Sequence, residues 1–321
     1  MKIFIAVCAV IVVIIAAAIV YLVKPKDVAI VQNGKVTADE FKYYYYQNLN
    51  YFLSFGGQPS DQEALINYAK QVSLSQAIET EYLLQEAKKD NFTVDNSEVS
   101  DQWNTMEENI VNSAGNYGVS VNEFCKQNFG IGLNKLKTIY KDNYIAQKYR
   151  EEKINGIQVD EADLATYYEE NKQSIDYASV RHILIGCDKE AEQAVEDEKN
   201  KKAQEILDRV NSGEDFAALA EEFSEDEGSK NTGGIYQVRQ NGQFVPEFEQ
   251  WAFSHKPGDT GIVRSEFGFH VMKLEDIYNT LESQLESVTF NYKTSVYQTA
   301  LNEVFSNGEY NIEVKDGFNE F

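Results

Sequence analysis

Cysteine, histidine and positive charge are all scarce in this chain of 321 residues. The three cysteines, Cys8, Cys125 and Cys187, lie far apart, so they spell neither a disulfide framework nor a CxxC metal pair. Structural zinc and redox chemistry fall away, and no metal or other cofactor is expected. Lysine and arginine total 29 against 52 acidic residues, a formal net charge of −23. Such a field repels phosphate backbones and anionic headgroups alike, which argues against a nucleic-acid partner and for neutral or basic ones. The acidic run Glu225-Asp226-Glu227 lacks the ligand spacing of a calcium loop and reads as solvated surface.

What the chain does have is one long apolar run. From Ile3 to Val23 there is no charge, and about twenty such residues suffice for a helix to cross a bilayer core. Residues 1–26 are therefore expected to form a transmembrane signal anchor, placing a single-pass protein in the cell membrane. A cleaved signal peptide competes, because Ala16-Ala17-Ala18 offers small residues to a peptidase, but Ile19 to Val23 continue the apolar run past them. Lys2 on one side and Lys24 and Lys26 on the other leave the orientation undecided by charge.

Beyond the apolar run, Val28 to Val31 reads as a short strand, Asn33-Gly34 as a turn, and Thr37 with Glu40 as a capping box opening a helix. Helical periodicity follows in Leu65, Tyr68 and Val72, in Leu74, Ile78 and Tyr82, and in Leu133, Leu136, Tyr140 and Tyr144. The tyrosines at 43 to 46, with Tyr51, Phe52 and Phe55, are read either as core or as the lining of a groove.

The texture changes at Tyr177. Val180, His182 and Leu184 alternate as in a strand, and a charged helix then carries Ala203, Ile206 and Val210 on one face, ending at Gly213. Asp215 caps a short helix, Ser224 to Gly234 is a polar loop, Pro246 to Phe253 a third helix, and Phe267 to Leu274 a closing strand. The order β-α-α-loop-α-β-β describes a compact α+β domain. Past Asn279 a helical stripe through Leu285, Val288, Tyr292 and Val296 precedes a strand at Tyr310 to Val314. These are too few residues to fold alone, so they are expected to return to the N-terminal helices, the strand pairing near Val28 to Val31.

Two of the three histidines, His182 and His270, sit mid-strand among apolar neighbours on the first and last strands of the α+β domain. A histidine there needs a polar partner. His255, beside Lys256 and Pro257, reads as exposed and incidental.

Arg181-His182-Ile183-Leu184-Ile185, Phe223-Ser224-Glu225-Asp226, Gly233-Gly234, Gly242-Gln243-Phe244, Glu247-Phe248, Pro257-Gly258-Asp259 and Phe267-Gly268-Phe269-His270 together resemble the parvulin family of peptidyl-prolyl cis/trans isomerases. The resemblance covers about residues 177 to 276. It implies a small antiparallel sheet with surrounding helices, and a catalytic network that the match carries onto His182, Asp226 and His270. It also carries substrate-binding positions onto Tyr236, Phe244, Phe248 and Phe267. Tyr236 stands at a rim position usually filled by a smaller apolar residue.

The wider arrangement is similar to extracytoplasmic foldases of the PrsA/SurA kind. That likeness implies a mainly helical chaperone-like domain at 27–156, a connecting helix at 157–176, the isomerase domain at 177–277, and a C-terminal helix and strand at 278–321 packing back. The implied partners are unfolded or partly folded secreted polypeptides containing Xaa-Pro bonds. The sequence is compatible with a homodimer and does not decide it. Asp188 and Glu190 flank a lone Lys189 where phosphate-directed parvulins carry a basic cluster, which argues against a phosphorylated substrate. Two alternatives stay open: a non-catalytic holdase with a degenerate parvulin domain, and a purely structural surface anchor.

Overall fold

The computed structural model describes residues 27–55, 62–308 and 310–321. The apolar segment at 1–26, and with it the expected anchor, lies outside the described residues, as does the side chain of Phe55. Among the described residues no helix is long and apolar enough to cross a membrane. The chain forms two compact units, Met1–Ile157 with Val296–Phe321, and Gln158–Ser295.

In the first unit, β1 (Ala29–Val31) pairs with β2 (Gly34–Val36) and, on its other side, with β7 (Ile312–Val314). Both pairings are antiparallel, with Ala29 opposite Val36 and Val314. Because Val31 pairs with Gly34, the two turn residues are Gln32 and Asn33, one position earlier than the Asn33-Gly34 reading, and Gln32 takes a φ of 50°.

Thr37 opens α1 (Ala38–Phe55) with reciprocal bonds: its N–H donates to Glu40 Oε2 at 2.6 Å, and the Glu40 N–H donates back to Thr37 Oγ1 at 3.3 Å. The apolar face of α1 and of α2 (Gln62–Lys89) closes over β1, where Val28, Val31, Phe41, Leu74 and Ile78 are buried. Tyr44 and Tyr45 pack at the edge of that cluster. A neighbouring core joins Trp103 of α3 (Asn96–Tyr117), Cys125 of α4 (Val121–Phe129) and Leu136 of α5 (Leu133–Gly156), with Tyr43 against it. Tyr51, in contrast, is exposed.

The second unit opens with α6 (Glu161–Ile175) and is built on a four-stranded antiparallel sheet in the order β4-β3-β6-β5. The strands are β3 (Tyr177–Gly186), β4 (Ile235–Val238), β5 (Thr260–Ser265) and β6 (Gly268–Tyr278). On one face Ile183, Ile185 and Val271 pack against Ala203 and Ile206 of α7 (Gln193–Asn211) and Phe216 and Leu219 of α8 (Phe216–Phe223). On the other, Val180, Met272 and Leu274 meet Phe248, Trp251 and Ala252 of α9 (Pro246–Ser254). Each of the larger aliphatic side chains buried there is worth about 1.5–3 kcal/mol, which fixes the register of the two central strands.

Strand β4 corrects the expected element order, which ran a loop directly into the third helix. It is four residues long, and only pairing with Ala178 to Arg181 of β3 makes it a strand. The helix α10 (Leu285–Ser306) begins in the second unit, where Val288 packs against Leu164 and Tyr168, and its later residues belong to the first.

Candidate active site

His182 lies opposite Met272, and His270 opposite Leu184. The two imidazoles are therefore diagonal neighbours on one face of adjacent strands, within reach of each other. Their Nδ1 atoms are 3.2 Å apart, and both residues are only 4% exposed. His182 Nε2 is 2.9 Å from Asp226 Oδ2, and His270 Nε2 is 2.6 Å from the hydroxyl of Ser265.

Asp226 arrives from the loop after α8, which is strapped to β3 by two bonds. The Leu184 N–H donates to Ser224 Oγ at 3.2 Å, and the Glu225 N–H donates to the Leu184 carbonyl at 2.9 Å. Further on, the Gly234 carbonyl accepts from the His182 N–H at 2.8 Å. Gly234 has a φ of 75°, and a β-carbon there would stand 2.3 Å from the His182 carbonyl oxygen, so only glycine fits this approach.

Burial pushes the His182 imidazole below its ordinary value even though Asp226 opposes the shift. Burial, aided by the neighbouring His182, pushes His270 down to about 4. For Asp226 burial acts upward, but hydrogen bonds from Ser229 and His182 outweigh it and hold the carboxyl below its usual range. At neutral pH the site thus holds two neutral rings and one carboxylate.

A neutral imidazole has one N–H and one lone pair, so the carboxylate sets the proton positions. Assigned from the network, His182 donates from Nε2 to Asp226 and accepts at Nδ1; His270 donates from Nδ1 and accepts the Ser265 hydroxyl at Nε2. Every donor in the chain then meets an acceptor. Asp226 Oδ2 also accepts from the Ser229 hydroxyl and, at 3.1 Å, from Tyr236 Oη, while Oδ1 accepts the Gly228 N–H at 3.2 Å.

Above this network stands an aromatic wall. Phe248 turns its ring edge-on to His182 and His270, at centroid distances of 5.2 and 5.4 Å. Phe244 stacks on Phe248 at 5.3 Å, and Tyr236 meets Phe244 edge-on at 5.2 Å. The structure brings His182, Asp226, His270, Tyr236, Phe244 and Phe248 together. Phe267 stands apart, 59% exposed, and among the described residues reaches the network through its N–H, which donates to Ser265 Oγ at 3.2 Å.

Sequence reasoning missed the serines. Ser229 is fully buried and Ser265 5% exposed, each bonded to a network member. Serine is too common for its spacing to signal this; only the folded loop brings these hydroxyls in. It also misread His255, which is half-buried, stacks on Trp251 at 4.4 Å, and has Nδ1 2.9 Å from the Trp251 carbonyl at the end of α9. Of the acidic run, Asp226 is the half-buried member, while Glu225 and Glu227 pair with Lys199 and Lys230.

Residues 165–278 match the PPIC-type PPIASE domain, a parvulin-type peptidyl-prolyl cis/trans isomerase domain. More particularly, residues 1–114 match the SurA-like N-terminal domain, so the chain joins a SurA-like region to a parvulin domain.

Among its relatives, the foldase protein PrsA of Caldanaerobacter subterraneus is 28% identical over 278 residues, covering 83% of this chain and 80% of that protein. Foldase protein PrsA 4 of Bacillus cereus is 33% identical over 65% of this chain and 62% of that protein. Among solved structures, the parvulin of Nitrosopumilus maritimus is 30% identical, covering 31% of this chain and 96% of that one, with a TM-score of 0.25.

Proposed function

We propose that His182, Asp226 and His270 form the polar floor of a prolyl site, with Phe244 and Phe248 as its apolar wall and Tyr236 at its rim. The chain acts as a peptidyl-prolyl cis/trans isomerase and foldase for secreted polypeptides outside the cytoplasmic membrane. The observation that carries the assignment of roles is the buried His182–His270 pair held by Asp226 beneath the edge of Phe248.

Rotation about an Xaa-Pro bond faces a barrier of about 18–20 kcal/mol because amide resonance is lost in the twisted state, yet no covalent bond breaks. A catalyst need only favour the twisted amide. Phe244 and Phe248 seat the pyrrolidine ring and exclude water from the amide, which strengthens any hydrogen bond offered there. The neutral histidine pair, with protons directed by Asp226, keeps the floor free of net positive charge and fixes its polar groups beneath the aromatic wall. No cofactor takes part in this scheme.

The helical region around 27–156 holds unfolded chain near the site and raises the local concentration of Xaa-Pro bonds. Residues Ile3 to Val23 anchor the protein in the membrane as a single pass, with the folded units on the outer side.

A protease-coupled proline-peptide assay tests the reading. Phe244→Ala removes an apolar contact worth about 1.5–3 kcal/mol and lowers kcat/KM about ten- to hundredfold, and Asp226→Ala lowers turnover as well, both with unchanged circular dichroism. Unchanged turnover in both variants, or none in the parent, favours instead a non-catalytic holdase. Tyr236 supports that second reading, since its ring leans on Phe244 and its hydroxyl on Asp226, narrowing the cleft from within.

A further inference from the structure

Arginine occurs five times, at 150, 181, 209, 239 and 264, in a chain with 52 acidic residues. Four of the five pair with carboxylates: Arg150 with Glu79, Arg181 with Glu275, Arg209 with Glu214 and Arg264 with Glu196. Arg239 alone does not, among the described residues. Its Nε donates to the Ser174 carbonyl at 3.1 Å, and its guanidinium lies over the ring of Tyr177, 5.4 Å from the centroid. Its two terminal NH2 groups have no acceptor among the described residues, yet the head is already held in place from two sides.

Arg239 lines a cavity of about 400 Å³ inside the unit Gln158–Ser295. Alternation along β4 turns Tyr236 and Val238 toward the prolyl cleft, so Gln237 and Arg239 face the other side of the sheet. The remaining walls come from α6, from Tyr177 and Tyr278 stacked at 4.7 Å, and from the first turns of α10. No lining residue carries a carboxylate.

The amides of Gln237 and Asn291 line the same space and have no intramolecular partner among the described residues. Each offers donors and an acceptor, the complement of a peptide group. Strand β4 is also an edge of its sheet, so its outer backbone groups stand open beside the cavity.

A planar guanidinium with two free donors matches a carboxylate in fork geometry. We propose that this cavity is a second polypeptide-binding subsite, which seats an extended client segment and takes one carboxylate of it, from the C-terminus or an acidic side chain, on Arg239. The proposal rests on the reading that this protein handles unfolded polypeptides, and it adds to that reading a preference within the client. The net charge of −23 opposes strongly acidic segments, so the fitting client is one carboxylate on an otherwise neutral or basic stretch.

The test is fluorescence anisotropy on the full chain with three labelled, proline-free heptapeptides of neutral and basic residues. One ends in a free carboxylate, one is amidated with a single internal aspartate, and one is amidated with no acid. At least one carboxylate peptide is expected to bind tenfold or more tighter than the acid-free one. Arg239→Gln should shrink that advantage to within twofold and Arg239→Lys restore part of it, while turnover on a proline tetrapeptide stays at the parent level. Equal affinity for all three peptides, or an advantage that survives Arg239→Gln, overturns the proposal. So does binding of an oligogalacturonate by a parent chain that ignores the peptides. Failure of the isomerase reading shows instead as absent turnover in the parent, independently of anisotropy.

Discussion

His270 illustrates how much a single residue's state depends on what surrounds it. In an unfolded chain its imidazole titrates near 6.5, and in the folded protein burial lowers that to about 4. As pH falls the unfolded chain therefore takes up the proton first, so the stabilisation is complete above about 6.5 and is lost on the way down to about 4. A shift of that size corresponds to at most about 3 kcal/mol, and His182 shifts in the same direction. Urea midpoints of the parent at pH 7, 5.5 and 4.5 are expected to fall more steeply than those of His270→Gln, which has no proton to gain. Parallel slopes would show that the buried ring is not the source. Residue type and position marked His182 and His270 in advance, because histidine is rare here and needs a partner inside a strand, and the parvulin resemblance added Asp226. Ser229 and Ser265 left no such mark, since a hydroxyl becomes part of a network only when a folded loop delivers it.

Elements were legible in proportion to how local their causes are. The Thr37–Glu40 capping box, the Asp215 cap and the apolar stripe of α7 all rest on neighbours within a turn or two, and each stands as its residues imply. Strand β4 does not. Its four residues carry too short an alternation to declare themselves, and their ladder to β3 spans more than fifty residues of chain.

The terminal strand is the same case with a larger energetic stake. Strand β7 completes the sheet around β1, and Tyr310, Ile312, Phe318 and Phe321 pack on the cluster holding Val28, Val31 and Phe41. Phe318 and Phe321 lie 5.6 and 4.7 Å from the Phe41 ring centroid. Deleting residues 310–321 should lower the melting temperature of the first unit by more than about 5 °C, given about 2–4 °C per kcal/mol at this size. An unchanged calorimetric transition would mean that the strand adds nothing to that unit.

For the molecule as a whole, the chain path matters as much as the parts. The unit Gln158–Ser295 interrupts another whose own sequence resumes at Val296, and the parvulin match falls wholly inside the interruption. An insertion of this kind ties the isomerase unit to the helical unit by two covalent links. The proposed anchor belongs to this scale too. Mass spectrometry of the protein extracted from membranes should find an intact N-terminus that includes residues before Ala18. A mature chain beginning after Ala18 would make the apolar run a cleaved signal.

The sequence by itself marked the class of the central region through its resemblance to the parvulin pattern, because the motifs that carry it, from Arg181-His182 to Phe269-His270, stand in order along the chain. Composition also sets the net charge of −23, since net charge is a sum and needs no fold. Only the tertiary structure decided which hydroxyls join the histidine pair, that Tyr236 bonds to Asp226, that β4 exists, and that Arg239 lies in a polar hollow with no carboxylate partner among the described residues. Each of these depends on groups far apart in sequence meeting within about 3 to 6 Å, and packing of distant segments, not any local preference, brings them there.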